Sequence, residues 1–194
     1  MKRMFCVVLG LLIITTAAVA DDQRDADALL KNKIDAAIEV LKKNETDIQV
    51  KNKKILDIVS PIFDFQLMAK LALGREFWPG LSEEEKEKYT ILFTERLKVS
   101  YLQKLSLYTD EEVAYKVPVR DGRKIQIPTE LISKGEIISM LYKMYESKQG
   151  WKIYDVEIQG VSIISTYRSQ FKEILANGTI DDLLLKLEKP ENNS

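Results

Sequence analysis

The stretch Trp151–Phe171, WKIYDVEIQGVSIISTYRSQF, decides the fold. In its first half Trp151, Ile153 and Asp155 point one way while Tyr154, Val156 and Ile158 point the other, the two-residue period of a strand. Gly160 breaks that strand. From Val161 onward Ile164, Tyr167, Arg168 and Phe171 recur at three- and four-residue intervals, the spacing of a helix. One apolar surface therefore turns from sheet to helix in a single short stretch, which suits the closing of a cavity end. The same pattern fits an ordinary strand-to-helix corner of a filled core.

Upstream, the two-residue period continues. Val113, Tyr115, Val117 and Val119 alternate as one strand, and Asp121-Gly122 is a strong hairpin turn. Ile125, Ile127, Thr129 and Leu131 alternate next, with Lys134-Gly135 as the following turn. Pro128 has no N–H to give a ladder, so this strand is expected at an edge or bulged. Ile138, Met140, Tyr142 and Met144 make the third strand, and a loop from Ser147 to Gly150 leads into the fourth. Four hairpin-linked strands form an antiparallel, strongly curved meander.

Helices flank the meander. Leu30, Ile34, Ala37, Ile38 and Leu41 form an apolar stripe between Asp27 and Lys42. A shorter helix spans Asn52–Val59, limited by Pro61. Asp64 is placed to cap a helix carrying Phe65, Met68, Leu71 and Ala72, and Gly74 to end it. Ser82 and Glu85 form a capping box that starts the longest helix, Glu83–Tyr108. Its broad face bears Tyr89, Leu92, Phe93, Leu97, Tyr101, Leu105 and Tyr108, so the wall has polar tips. Asn177-Gly178 stops the helix of the opening stretch. Thr179 and Asp182 cap a last one carrying Ile180, Leu183, Leu184 and Leu187, before a polar tail, Glu188–Ser194, expected to fray. The fold class is α+β: N-terminal helices packed on a curved four-stranded antiparallel meander, with C-terminal helices.

The extreme N-terminus reads as an export leader over residues 1–20. Met1-Lys2-Arg3 is basic, Phe5–Ile14 apolar, and Ala18-Val19-Ala20 a small-residue cleavage site. The apolar run is short for a bilayer span. The 194 residues less these 20 leave 174, the length of one domain from residue 21 to 194. The 29 basic residues less Lys2 and Arg3, against 30 acidic ones, give a mature charge of −3. That balance offers no basic face for nucleic acid. Cleavage also removes Cys6, the only cysteine, so burial rather than a disulfide must hold the product. With no histidine, histidine triads, histidine-ligated zinc and histidine acid–base catalysis are excluded.

Met140, Tyr142 and Met144 on one strand face make a flexible, polarizable surface, suited either to variable apolar shapes or to filling core gaps. Sheet, tyrosine-bearing helix and corner together offer more apolar face than a two-layer core obviously needs. Within that surface Tyr154–Phe171 resembles the signature of the MlaC family of phospholipid-binding components, also called toluene-tolerance proteins. Phe63–Trp78 (FDFQLMAKLALGREFW), the Ser82 helix and Asn177–Leu187 (NGTIDDLLLKL) fall in that family's order and spacing. The resemblance covers Asp25–Leu187. Gln159 and Thr166 depart from it, where the family has Glu and Asn.

The resemblance implies a helix layer and curved sheet enclosing an apolar cavity for the acyl chains of a glycerophospholipid, its head group outside. Such proteins are periplasmic shuttles that maintain outer-membrane lipid asymmetry. Their partners are the MlaD-type subunit of an inner-membrane ABC transporter and an outer-membrane MlaA-type lipoprotein with its porin. A monomer with lipid as cargo and no cofactor is expected. The expected lining is the row Ile138, Met140, Tyr142 and Met144 with Val117 and Ile127 on the strands before it. Val156, Ile158 and Val161 join from the corner, and Leu97 and Tyr101 from the long helix. Two alternatives stand beside this. One is a carrier of another lipid, such as a hopanoid. The other is an enzyme in which Asp64 or Asp155 serves as a base of raised pKa in the apolar pocket; against it, Asp64 is a cap and Asp155 points away from Val156 and Ile158.

Overall fold

The computed structural model describes residues 17–43, 47–102, 112–133 and 135–189. Most of the expected leader, the ends of the long helix at Leu105 and Tyr108, Lys134 and the tail from Pro190 lie outside these residues. The fold is α+β, as the periodicities predict: the described residues form six α-helices and one antiparallel sheet.

Helix α1 (Ala17–Lys42) buries Ala26, Leu30, Ala37 and Leu41 along one stripe. Helix α2 (Ile48–Val59) starts four residues ahead of the expected Asn52. The reason is local: the Asp47 carboxylate accepts hydrogen bonds from the N–H groups of Gln49 at 2.8 Å and Val50 at 3.3 Å, capping the helix. Helix α3 (Phe65–Phe77) opens on Asp64, whose Oδ1 accepts from Leu67 N at 2.9 Å. Gly74 takes φ +84° and interrupts it, but the chain resumes helical geometry beyond. A kink there frees the Leu71 carbonyl, and Arg168 Nε donates to it at 2.8 Å.

Helix α4 (Glu83–Leu97) begins with the reciprocal bonds of the capping box, Glu85 N to Ser82 Oγ at 3.2 Å and Ser82 N to Glu85 Oε2 at 2.7 Å. Over Lys98–Leu102 it widens into a π turn, and the expected continuation to Tyr108 lies outside the described residues. Apolar spacing cannot tell these geometries apart. The widened turn faces Tyr167, whose hydroxyl lies 3.4 Å from Ser100 Oγ and whose ring meets Tyr101 edge-on at 6.4 Å.

The sheet comprises β1 (Glu112–Tyr115), β2 (Val119–Asp121), β3 (Lys124–Ser133), β4 (Glu136–Ser147), β5 (Gly150–Ile158) and β6 (Val161–Ser162). The strand expected over Val113–Val119 is split. Its halves, β1 and β2, both pair with β3 and leave a gap at Lys116–Pro118. Pro128 faces that gap, with its carbonyl accepting from Lys116 N at 3.0 Å. The missing donor of Pro128 thus meets no ladder partner, and β3 sits inside the sheet rather than at its edge.

The organising strand departs from strict alternation. Lys143 pairs with Asp155 but Met144 pairs with Ile153, so Tyr154 is the extra residue of a β-bulge. Trp151 and Ile153 before the bulge, and Val156 and Ile158 after it, therefore share the inner face. Asp155 turns outward, where it is buried beneath the start of α5 (Ile163–Asn177). It accepts from Ser162 Oγ at 2.8 Å and Ile164 N at 3.3 Å, and pairs with Lys143 at 3.1 Å. Glu157 completes this outer cluster by a second ion pair to Lys143. Burial works against the Lys143 charge, but these two carboxylates outweigh it and raise its pKa.

Helices α3, α4 and α5 cover one half of the inner face. Phe93 and Tyr167 meet edge to face at 5.2 Å, Tyr89 and Phe171 at 5.9 Å. The Tyr89 hydroxyl donates to the Ala69 carbonyl at 3.2 Å, which satisfies the polar tip inside the core. Helix α6 (Ile180–Glu188), opened by the Thr179–Asp182 capping box, closes the outside of this half. Arg96 ties α4 to it by donating to the Lys186 and Leu187 carbonyls at 2.9 Å and to that of Lys189.

Candidate functional site: an apolar cavity between helix α1 and the sheet

The other half of the inner face is not filled. Between α1 and the sheet lies an apolar cavity of about 160 Å³. Leu30, Ile34, Ala37, Ile38 and Leu41 of α1 form one wall, and Thr129, Leu131, Met140, Tyr142, Ile153, Val156 and Ile158 form the opposite one. Val59, Ile62, Phe63 and Met68 close one side; Leu97, Tyr101, Val113 and Ile163 close another. The bulge matters here, because it is what aims both Ile153 and Val156 at the same space.

Six expected residues stand on this wall: Leu97, Tyr101, Met140, Tyr142, Val156 and Ile158. Five do not. Ile127 and Met144 lie on the inner face but are fully buried in the packed half, where the α3–α5 side chains leave no space. Val117 sits in the break between β1 and β2 and is 82% exposed. Val161 lies beyond the Gly160 turn and is 60% exposed. Ile138 pairs with Leu131 near the free end of β4 and stays outside the lining. The α1 wall was legible as an amphipathic stripe, but a stripe gives no sign of whether its partner surface touches it.

The polar groups of the wall are few. The Tyr142 hydroxyl lies 3.7 Å from Met140 Sδ, and burial pushes this phenol up to about 12. Among the described residues Lys33 is the only charged one in the lining. Beside it on α1, Asp35 accepts from Lys31 Nζ and from the Tyr115 hydroxyl, both at 2.8 Å. Burial acts to raise the Asp35 pKa, but these two hydrogen bonds prevail and lower it.

Neither candidate base reaches the cavity. Asp64 is held by its cap bond and by the Tyr145 hydroxyl, and Asp155 lies on the far face of the sheet. The hydrogen bond to Asp64 raises the Tyr145 pKa to about 12, with burial adding to it. Among the described residues, no group of three or more acidic or cysteine side chains is placed to hold a metal. No helix among them is long and apolar enough to cross a membrane.

The model of the MlaC protein family matches residues 31–189, from the cavity-lining turn of α1 to the end of α6. The chain belongs to the MlaC family. A curated relative in Haemophilus influenzae (strain Rd), the intermembrane phospholipid transport system binding protein MlaC, is 24% identical; the match covers 97% of this chain and 93% of that protein. Among solved structures, this MlaC-family chain is similar to a phospholipid-binding protein from Ralstonia solanacearum, determined in complex with a phospholipid. That match has a TM-score of 0.76 and 27% identity, and covers 84% of this chain and 95% of the other.

Proposed function

We propose that the chain is a periplasmic carrier that holds glycerophospholipid acyl chains between α1 and the sheet and moves them between the outer and inner membranes. The cavity carries the proposal: a nearly all-apolar wall in a fold shared with a protein solved with phospholipid bound. Burying methylenes at about 0.8 kcal/mol each supplies ample affinity without a cofactor or a covalent step, so the function is binding rather than catalysis. Export follows cleavage after Ala20, leaving one monomeric lipid-binding domain. An MlaD-type transporter subunit and an MlaA-type lipoprotein with its porin are the partners on either side.

The present volume sets a requirement. A cavity of roughly 150 Å³ takes a single benzene ring. Two acyl chains need several times more, so loading separates α1 from the sheet. Mature chain purified from a bacterial host is expected to carry about one phospholipid per molecule, read as phosphorus in the extract and as a mass increment under native conditions. Folded, monodisperse protein without lipid phosphorus refutes the proposal. N-terminal sequencing of the exported chain is expected to begin at Asp21.

A further inference from the structure

We infer that Lys33 is the phosphate-recognising residue of the cavity, so that cargo is selected as a phosphodiester lipid rather than as any apolar chain. The inference rests on the phospholipid reading of the cavity. Lys33 lies three residues after Leu30 and four before Ala37, so helical geometry sets it on the inward stripe of α1 rather than on the solvent face. It is half-buried and lines the same cavity as both of them.

A cation in an apolar wall loses hydration and needs a counter-charge. Among the described residues the wall supplies none, since no carboxylate among them lines the cavity. Among the described residues Lys33 has no ion-pair partner, whereas Lys31, two residues away, is engaged with Asp35 at 2.8 Å and lies 4.3 Å from the Tyr115 ring centre. The long stem of Lys33 can follow the apolar wall and hold its ammonium at the opening. An amphiphile whose chains fill the cavity leaves its phosphate at that opening. Lysine serves phosphate as a compact point charge, and a partly buried pair is screened by salt less than a surface one. A neutral diacylglycerol or polycyclic lipid would leave the ammonium uncompensated.

The test compares mature wild-type chain with Lys33→Met, which keeps the stem, and with Lys33→Arg, which keeps the charge. Each is stripped of lipid, refolded and incubated with phosphatidylcholine vesicles, phosphatidylglycerol vesicles, or phosphatidylcholine vesicles containing diacylglycerol. Bound lipid is then counted on protein separated from the vesicles. Lys33→Met is expected to lose about tenfold in uptake of both phospholipids, the size of one charge-assisted hydrogen bond, with diacylglycerol uptake unchanged. Lys33→Arg keeps phospholipid uptake. Lys33→Gln repeats the comparison if the methionine variant does not fold. Equal phospholipid uptake by wild type and Lys33→Met overturns the inference and leaves the phospholipid reading standing. An equal loss in Lys42→Met, at the exposed end of α1, also overturns it, since that marks general attraction to the vesicle. Failure of the wild type to take up any phospholipid defeats the reading beneath both.

Discussion

One row of side chains runs along the inner face of β4, and its two ends meet opposite fates. Met144 is fully buried against a packed half containing Tyr89, Phe93, Tyr167 and Phe171. Met140 and Tyr142, a few residues earlier on the same face, look into the cavity. The strand does not cause the difference; the covering helices do. Helices α4 and α5 present four rings, each burying 150–250 Å² and interlocking edge to face. The stripe of α1 presents Leu30, Ile34, Ala37, Ile38 and Leu41, with no ring among them. Helix α1 spans the gap without filling it, and so the same apolar strand is core at one end and cavity wall at the other.

The contrast breaks first in the packed half. Phe93→Ala removes a ring from the centre of the cluster and is expected to cost about 3–5 kcal/mol in denaturant unfolding. Lipid per folded molecule should stay at the wild-type value. A loss of lipid at unchanged stability would mean that the two halves are one continuous pocket.

The row itself gives the next comparison. Met144→Trp overpacks a site with no free volume and is expected to destabilise by about 1–3 kcal/mol, with lipid binding kept by the molecules that fold. Met140→Trp places the larger ring where space exists. It should cost less stability and lower bound lipid several-fold. Should Met140→Trp unfold the chain while lipid per folded molecule holds, the wall is core and the cavity assignment fails.

Much of the packed half could be read from sequence, because its signals are local. Asp64, Ser82 with Glu85, and Thr179 with Asp182 cap the helices expected of them, since a cap needs only residues a turn apart. The meander followed from its turns. The bulge at Tyr154 could not be read, because both registers use the same residues and only pairing with β4 decides between them. Pro128 was legible as a missing donor, but the break it faces at Lys116–Pro118 was not, because only the pairing of β1 and β2 with β3 reveals it. The cavity was hidden for a related reason. Ala37 and Lys33 are unremarkable on a helix, and their importance comes from what stands across the gap.

Alkaline titration sharpens the comparison further. Burial raises the pKa of Tyr89 in the packed half and that of Tyr142 in the cavity, the latter to about 12. An unfolded tyrosine ionises near 10, so between about pH 10 and 12 the unfolded chain has released protons that the native chain keeps. Fewer bound protons in the unfolded state make stability fall as pH rises, by about 1.4 kcal/mol per pH unit for each tyrosine held neutral. The raised Lys143 acts in the same direction, its contribution present below about 10.4 and lost as pH climbs through its folded value. Loading the cavity with lipid should raise the Tyr142 transition further and leave Tyr89 unmoved, as read by phenolate absorbance. A Tyr142 transition indifferent to lipid would place its hydroxyl outside the cargo site.

The smallest effect is expected at the rim. Gln159 adopts φ +51°, the only non-glycine in that region among the described residues. Its side chain is tied to β4: Oε1 accepts from Ser139 Oγ at 2.9 Å and Ser139 N at 3.4 Å, while Nε2 donates to the Ile137 carbonyl at 3.1 Å. The residue next to it, Ile158, is cavity wall, so this clasp fixes the end of the sheet on which the wall depends. Gln159→Gly relieves a left-handed backbone worth roughly 1–2 kcal/mol and removes exposed hydrogen bonds of about 0.5–1.5 kcal/mol each. Three such bonds, exposed and so at the low end of that range, total about 1.5 kcal/mol and nearly cancel the relief, so unfolding should shift by less than about 1 kcal/mol. Gln159→Ala keeps the strained backbone and loses the bonds, so it should be the less stable of the pair. If the clasp positions the wall, both variants loosen β4 from the β5–β6 turn, and amide exchange at Ser139 and Met140 should quicken while exchange around Phe93 stays slow. Equal exchange at the rim would show the wall to be held by the sheet alone, with the side chain of Gln159 a bystander.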